Sequence, residues 1–96
     1  MVKVIGLMEL SDQDAFAKYR SQVSQTVELY KGSIKNRGSV AELFWNELGS
    51  APFNTFVELE FPSLQDAHLW ANSPEYRALV PIRSKAMKLT LFSVAI

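Results

Sequence analysis

The stretch Phe61-Pro-Ser-Leu-Gln-Asp-Ala-His-Leu-Trp-Ala-Asn-Ser-Pro-Glu-Tyr76, continuing Arg-Ala-Leu-Val-Pro-Ile-Arg83, decides how the rest of the chain is read. Phe61 closes an alternating strand, and Pro62 ends it because proline offers no ladder N–H. Ser63 is an N-cap candidate with Asp66 three positions later, and Leu64, Ala67 and Ala71 follow as a helical stripe. His68 falls near the edge of that stripe and Trp70 on its opposite flank. Ser73-Pro74 stops this helix and begins another piece, since proline suits a first helical turn. There Tyr76, Leu79, Val80, Arg83 and Met87 share a face, and Pro81 within the pattern predicts a kink or break.

Working outward, Phe53 to Phe61 alternates, with Thr55, Val57, Leu59 and Phe61 on one face and Phe56, Glu58 and Glu60 on the other. Ser33 to Arg37 reads as a short edge strand interrupted by Gly38, and Val40 to Trp45 resumes it on a shifted parity, which predicts a bulge or bend. Asn46 to Pro52 is turn material. Upstream, Phe16, Tyr19, Val23, Val27 and Tyr30 are spaced by three and four, the stripe of an amphipathic helix. Ser11, with Asp14 three residues on, is its expected start, and Gly32 its expected left-handed stop. Lys18, Arg20, Gln22, Gln25 and Glu28 lie largely off the stripe. Leu89 to Ile96 is the last strand.

The first strand, Val2 to Leu10, carries Val2, Val4, Met8 and Leu10 on one face and Ile5 and Leu7 on the other. A strand apolar on both faces is central and covered twice. The order β-α-β-β-α-β is the split β-α-β of ferredoxin-like α+β folds, a four-stranded antiparallel sheet with both helices on one side. Two helices leave the second side open, so the expectation is a homodimer formed through the open sheet face, giving a dimeric α+β barrel.

Composition sets the outer bounds. The 96 residues read as one domain, 1–96, and 48% hydrophobic content supplies a core. Ten basic and ten acidic side chains cancel, so no clustered positive excess points to nucleic acid. The absence of cysteine removes disulfides and thiolate sites, and a single histidine with scattered carboxylates makes no metal shell. No segment approaches the ~20 apolar residues of a membrane span, and the N-terminus reads as a strand rather than a leader, so no membrane partner and a cytoplasmic location are expected.

Over Glu60-Phe61-Pro62-Ser63, Ala67, Ser73-Pro74-Glu75-Tyr76 and Arg83 the chain resembles the domain-of-unknown-function family thirteen-thirty, small dimeric α+β barrel proteins. The resemblance implies the fold and the dimer and brings no activity with it. Where that family often has a Gly-Gly pair after the first helix, this chain has Lys31-Gly32.

Four residues are candidates for a ligand site. Arg83 is a guanidinium on an apolar stripe, which needs a partner. Either it anchors a ligand carboxylate between sheet and helices, or it pairs with Glu58, Glu60 or Glu75, or its stem snorkels to water. His68 is the one imidazole available for proton transfer, although a lone histidine at a stripe border is commonly a surface residue. Glu60, with Glu58, would become a base if buried, or else form an interfacial ion pair near Lys35 or Arg37. Tyr76, together with Tyr19, Tyr30, Trp45 and Trp70, either lines a pocket for a flat ligand or packs the core. No phosphate loop, nucleophile elbow or metal motif is present, and no cofactor is implied. Two functions follow: binding or conversion of a small organic acid or aromatic molecule without a cofactor, or a non-catalytic dimeric structural or interaction module.

Overall fold

Strand β1 (Val2–Leu10) sits inside the sheet of the computed structural model, which describes residues 1–96. It is flanked by β3 (Thr55–Phe61) and β4 (Met87–Ala95), with β2 (Ser33–Ser39) outside β3, giving the order β2-β3-β1-β4. All neighbours are antiparallel. The sheet takes its helical layer from α1 (Gln13–Leu29), α2 (Leu64–Ala71), α3 (Pro74–Arg77) and α4 (Val80–Ala86). This is the ferredoxin-like β-α-β-β-α-β arrangement, with the second helix in three pieces.

Side-chain alternation explains the two faces. Val2, Val4 and Met8 of β1 and Leu59 and Phe61 of β3 are buried under the helices. Their register partners on the opposite parity, Ile5↔Glu58 and Ile5↔Phe92, Leu7↔Phe56, and Lys3↔Val94, form the open face. The core is one cluster, in which Trp70 packs on Phe61 and Tyr76 with ring centroids 5.5 Å and 4.6 Å away. Trp70 also donates its indole N–H to Thr26 Oγ1 at 3.1 Å, so the chain's largest buried side chain carries no orphan donor.

Five local expectations need correction. The cap of α1 is Asp12, whose Oδ1 accepts from the Ala15 N–H at 2.9 Å, because Ser11 is occupied: its N–H and hydroxyl both reach the Ala86 carbonyl. At the other end Lys31, not Gly32, takes the left-handed conformation with φ 69°. Gly32 N–H to Val27 O and Lys31 N–H to Glu28 O form a Schellman pair, with Lys31 where glycine is usual. Gly32 is needed for space instead, since a Cβ there would meet the Phe61 ring at 2.4 Å.

The register shift in β2 lies between Ile34 and Asn36, ahead of Gly38, and Val40 to Trp45 does not continue the strand. On α2 the buried residues are Ala67 and Trp70, while Leu64 and Ala71 face outward. Finally, Met87 begins β4 rather than ending a helix, and the helical break falls at Ala78–Leu79, ahead of Pro81, which sits in the first turn of α4.

Candidate functional site

An apolar cavity of about 60 Å3 lies between α1 and the sheet, walled by Met8, Val23, Leu59 and Leu91 among others. Two phenols line it from different helices, Tyr19 of α1 and Tyr76 of α3. Their hydroxyls are 2.9 Å apart and their rings meet edge to face. Tyr76 is held there by its helix start: Ser73 is buried and its Oγ accepts from the Tyr76 N–H at 3.0 Å. The Ser73 hydroxyl in turn donates to the Trp70 carbonyl at 2.7 Å.

Arg83, reaching across from α4, donates from Nη1 to the Tyr76 oxygen at 3.1 Å, with its guanidinium 5.6 Å from the Tyr76 ring centroid. It has no carboxylate partner; the chain's ion pairs join Lys3 to Glu58 and Glu60 and Lys35 to Glu60. The third acid considered for it, Glu75, accepts from the Tyr30 hydroxyl at 2.6 Å. Arg83 therefore spends one donor on a phenol oxygen and keeps the rest of its fork, on a half-buried side chain.

Proton counting defines what the phenol pair can do. Two hydroxyls hold two protons and only one can lie between the oxygens, so the other is free to donate to a guest. Burial, chiefly, pushes the Tyr19 phenol well above its ordinary value, with Tyr76 adding to the rise and Arg83 partly offsetting it. Tyr19 thus stays a neutral donor at physiological pH.

Arg83 touches the cavity only through Tyr76, and the arginines on the cavity wall are two others. Arg20 and Arg37 line it, and both are exposed and border the open groove beside it, so they mark its mouth. Arg20 lies 5.8 Å from the Phe16 ring centroid, and Arg37 donates to Ser24 Oγ at 3.4 Å. Neither is ion-paired, and no Asp, Glu or His lines the cavity. Sequence reasoning missed both. Arg20 lies largely off the apolar stripe of its helix, and simple alternation from Ser33 puts Arg37 on the open face. The bulge reverses that: Asn36 pairs with Glu58, and Arg37, paired with Val57, swings to the helix side.

The four sequence candidates do not converge. Arg83 and Tyr76 are in contact. His68 is exposed and borders a separate groove on the other side of Trp70, with Leu64, Ala67 and Ser93. Glu60 stands on the open face, across the sheet from the cavity. Lys3 Nζ lies 2.7 Å from Glu60 and 2.8 Å from Glu58, and Asn36 Nδ2 donates to Glu58 at 3.1 Å. The Lys3 ammonium, first of all, holds both carboxyls below their usual range, and the two acids raise Lys3. The expected neighbour Lys35 is 3.8 Å from Glu60, whereas Arg37 is on the other side of the sheet.

The model of one family, domain of unknown function (DUF1330), matches residues 3–95. The chain belongs to the DUF1330 family. Solved structures with the same fold include an Arabidopsis thaliana protein, 14% identical, with a TM-score of 0.76 over 100% of this chain and 95% of that one. A dimeric ferredoxin-like protein of unknown function from Thermobifida fusca is 16% identical, with a TM-score of 0.63 over 99% and 90%. SnoaB, a cofactor-independent oxygenase from Streptomyces nogalater, is 7% identical, with a TM-score of 0.68 over 99% and 91%. At these identities the likeness establishes the fold and nothing finer. No curated protein matches the sequence.

Proposed function

We propose that this DUF1330 protein binds a small organic acid, aromatic or otherwise largely apolar, in the cleft between α1 and the sheet. The observation that carries the reading is the Tyr19–Tyr76–Arg83 chain, which presents one uncommitted phenolic proton beside an apolar cavity. Arg20 and Arg37 at the mouth, with no acid on the lining, favour an anionic head group, and the apolar wall favours a hydrophobic body. Ligand roles for Arg83 and Tyr76 belong to this proposal. His68 and Glu60 face elsewhere and have no part in the cleft as it stands.

The likeness to SnoaB raises conversion of the bound molecule without a cofactor, by analogy of fold alone. The lining contains no carboxylate or imidazole, and Tyr19 is held protonated. Any such reaction would depend on acidity or reducing power in the substrate itself, so binding is the function the geometry favours over general-base catalysis.

We also infer a homodimer through the open sheet face. Ile5, Leu7, Phe56, Phe92 and Val94 stand on that face, with Phe92 and Val94 exposed in the single chain, and the Thermobifida fusca relative is described as dimeric. The Lys3–Glu58–Glu60 group at its centre is internally paired, which lowers the cost of covering it.

A thermal-shift screen with aromatic and short aliphatic carboxylic acids tests the binding reading. A ligand at about 100 times its Kd stabilises the wild type by about 2.7 kcal/mol, a shift of several degrees. Tyr76→Phe and Arg83→Ala should lose most of that response. Equal shifts in wild type and Arg83→Ala would remove Arg83 from the site, and no response across the panel would favour the non-catalytic module.

A further inference from the structure

Between β2 and β3 the chain makes a fifteen-residue excursion, 40–54, that is unlike the rest of the molecule. Its root is anchored: Val40 N–H reaches the Asn54 carbonyl and Asn54 N–H the Met8 carbonyl, each at 2.9 Å. Its tip is an ordered turn. Asn46 Nδ2 donates to the Ser50 carbonyl at 2.9 Å, Ser50 N–H donates back to Asn46 Oδ1 at 3.1 Å, and Gly49 N–H reaches the Asn46 carbonyl at 3.1 Å with φ +69°. Leu43, Phe44 and Trp45 lead into this turn and Leu48 stands within it, yet Phe44, Trp45 and Leu48 are 75%, 80% and 96% exposed. The only aromatic neighbour of Trp45 is Phe44, at 6.4 Å. A shaped arm with apolar side chains and nothing of its own protomer to bury them against is built for another surface.

Area identifies the surface. Four strands at ~4.8 Å spacing and about eight residues of ~3.4 Å each give a sheet face of roughly 500 Å2. That is a flat footprint, whereas a stable interface takes about 800 Å2 of accessible surface from each partner, and apolar surface beside the footprint adds to what it can bury. The arm leaves the end of the sheet, as a continuation of the β2–β3 ladder at Val40 and Asn54, and carries the exposed side chains of Phe44, Trp45 and Leu48. We propose that the Leu43–Leu48 arm clasps a second copy of this chain, extending the sheet-face interface past the rim. This inference rests on the homodimer proposed above. Twofold symmetry makes the contact reciprocal, so each dimer has two arms engaged.

The test uses three full-length proteins, each in sedimentation equilibrium and acrylamide quenching: wild type, Phe44→Ser/Trp45→Ser, and Phe92→Lys on the open face. Because Phe44 and Trp45 are largely exposed in the protomer, the double variant should keep the wild-type near-UV signal of the buried core. Its dimer dissociation constant should rise at least about 100-fold, from loss of two large apolar side chains on each of two arms. In the wild-type dimer both tryptophans should resist acrylamide, and in the Phe92→Lys monomer one of the two should become fully quenchable. If the double variant dimerises like wild type while Phe92→Lys does not, the arm has no partner in the dimer, although the sheet-face dimer stands. A wild type that is monomeric at tens of micromolar overturns both. Protection of Trp45 in the Phe92→Lys monomer would mean that the arm folds onto its own protomer, which also overturns the inference.

Discussion

The two tryptophans occupy opposite extremes of this small protein. Trp70 is 2% exposed, stacked against Phe61 and Tyr76 and hydrogen-bonded to Thr26, whereas Trp45 is 80% exposed on the arm. The contrast comes from what lies three or four residues away. Trp70 follows Ala67 by three on a helix whose cap at Ser63 fixes its phase against the sheet, so its ring enters the core. Trp45 sits in a segment without strand pairing or helical phase, and no neighbouring element claims it. A large aromatic is buried when regular structure aims it; hydrophobicity alone leaves its destination open.

The largest effect expected from breaking this contrast is Trp70→Ala, which should cost about 4 kcal/mol of stability by emptying the centre of the core and orphaning the Thr26 hydroxyl's partner position. Urea unfolding followed by far-UV circular dichroism would measure it, and a loss under 1 kcal/mol would mean that the core is not organised around this ring. Gly32→Ala comes next, at about 2 kcal/mol, because the new Cβ must displace the Phe61 ring it meets at 2.4 Å. Phe61 is the ring on which Trp70 stacks, so the two changes should be non-additive in a double-mutant cycle.

A further effect belongs to the opposite face. Glu58 and Glu60 have folded-state pKa values below those of the unfolded chain, so their contribution is present above the ordinary carboxylate pKa of 4.5 and is lost as pH falls through the folded values. Lys3 is raised above 10.5, so its contribution is full below that pH and is lost as pH climbs through its folded value. The contribution of this ion cluster should be flat between these limits. Lys3→Met should shrink the fall in urea midpoints below pH 4.5; an unchanged limb would show that the ion cluster does not set it.

The smallest effects sharpen the contrast. Lys31→Gly should stabilise by about 0.5–1 kcal/mol, since glycine relieves the left-handed strain at φ 69° and returns only part of it as unfolded-state entropy. Trp45→Ser should change protomer stability by less than about 0.5 kcal/mol, as befits a side chain exposed in the protomer.

These particulars show what could be read in the residues. The helix stripes of Tyr19, Val23 and Val27, the Ser63 and Pro74 starts and the alternation in β1 and β3 each depend on neighbours within four positions, and they were legible. The cap at Asp12 was displaced because Ser11 is held by Ala86, a contact 75 residues away. The departure from the family's Gly-Gly at Lys31-Gly32 was visible, although its meaning was not: the left-handed site and the crowded site are adjacent and distinct. At the candidate cleft, Arg83 and Tyr76 shared a predicted helical face and do meet. Arg37 was out of reach because one extra residue in β2 inverts the faces downstream, and a bulge leaves no fixed signature in composition. Arg20 lies largely off the stripe of its own helix, and only the approach of the sheet makes it part of a mouth.

In the function proposed above, the Tyr19–Tyr76–Arg83 side of the sheet receives an acidic, largely apolar ligand. A 1H–15N correlation titration with phenylacetate tests it most directly, on wild type and Arg83→Ala. The predicted result is saturable shifts at the amides of Tyr19, Val23, Tyr76 and Leu89, weakened in the variant. Saturable shifts confined to Lys3, Lys35 and their neighbours on the open face, or identical titrations of the two proteins, would contradict it.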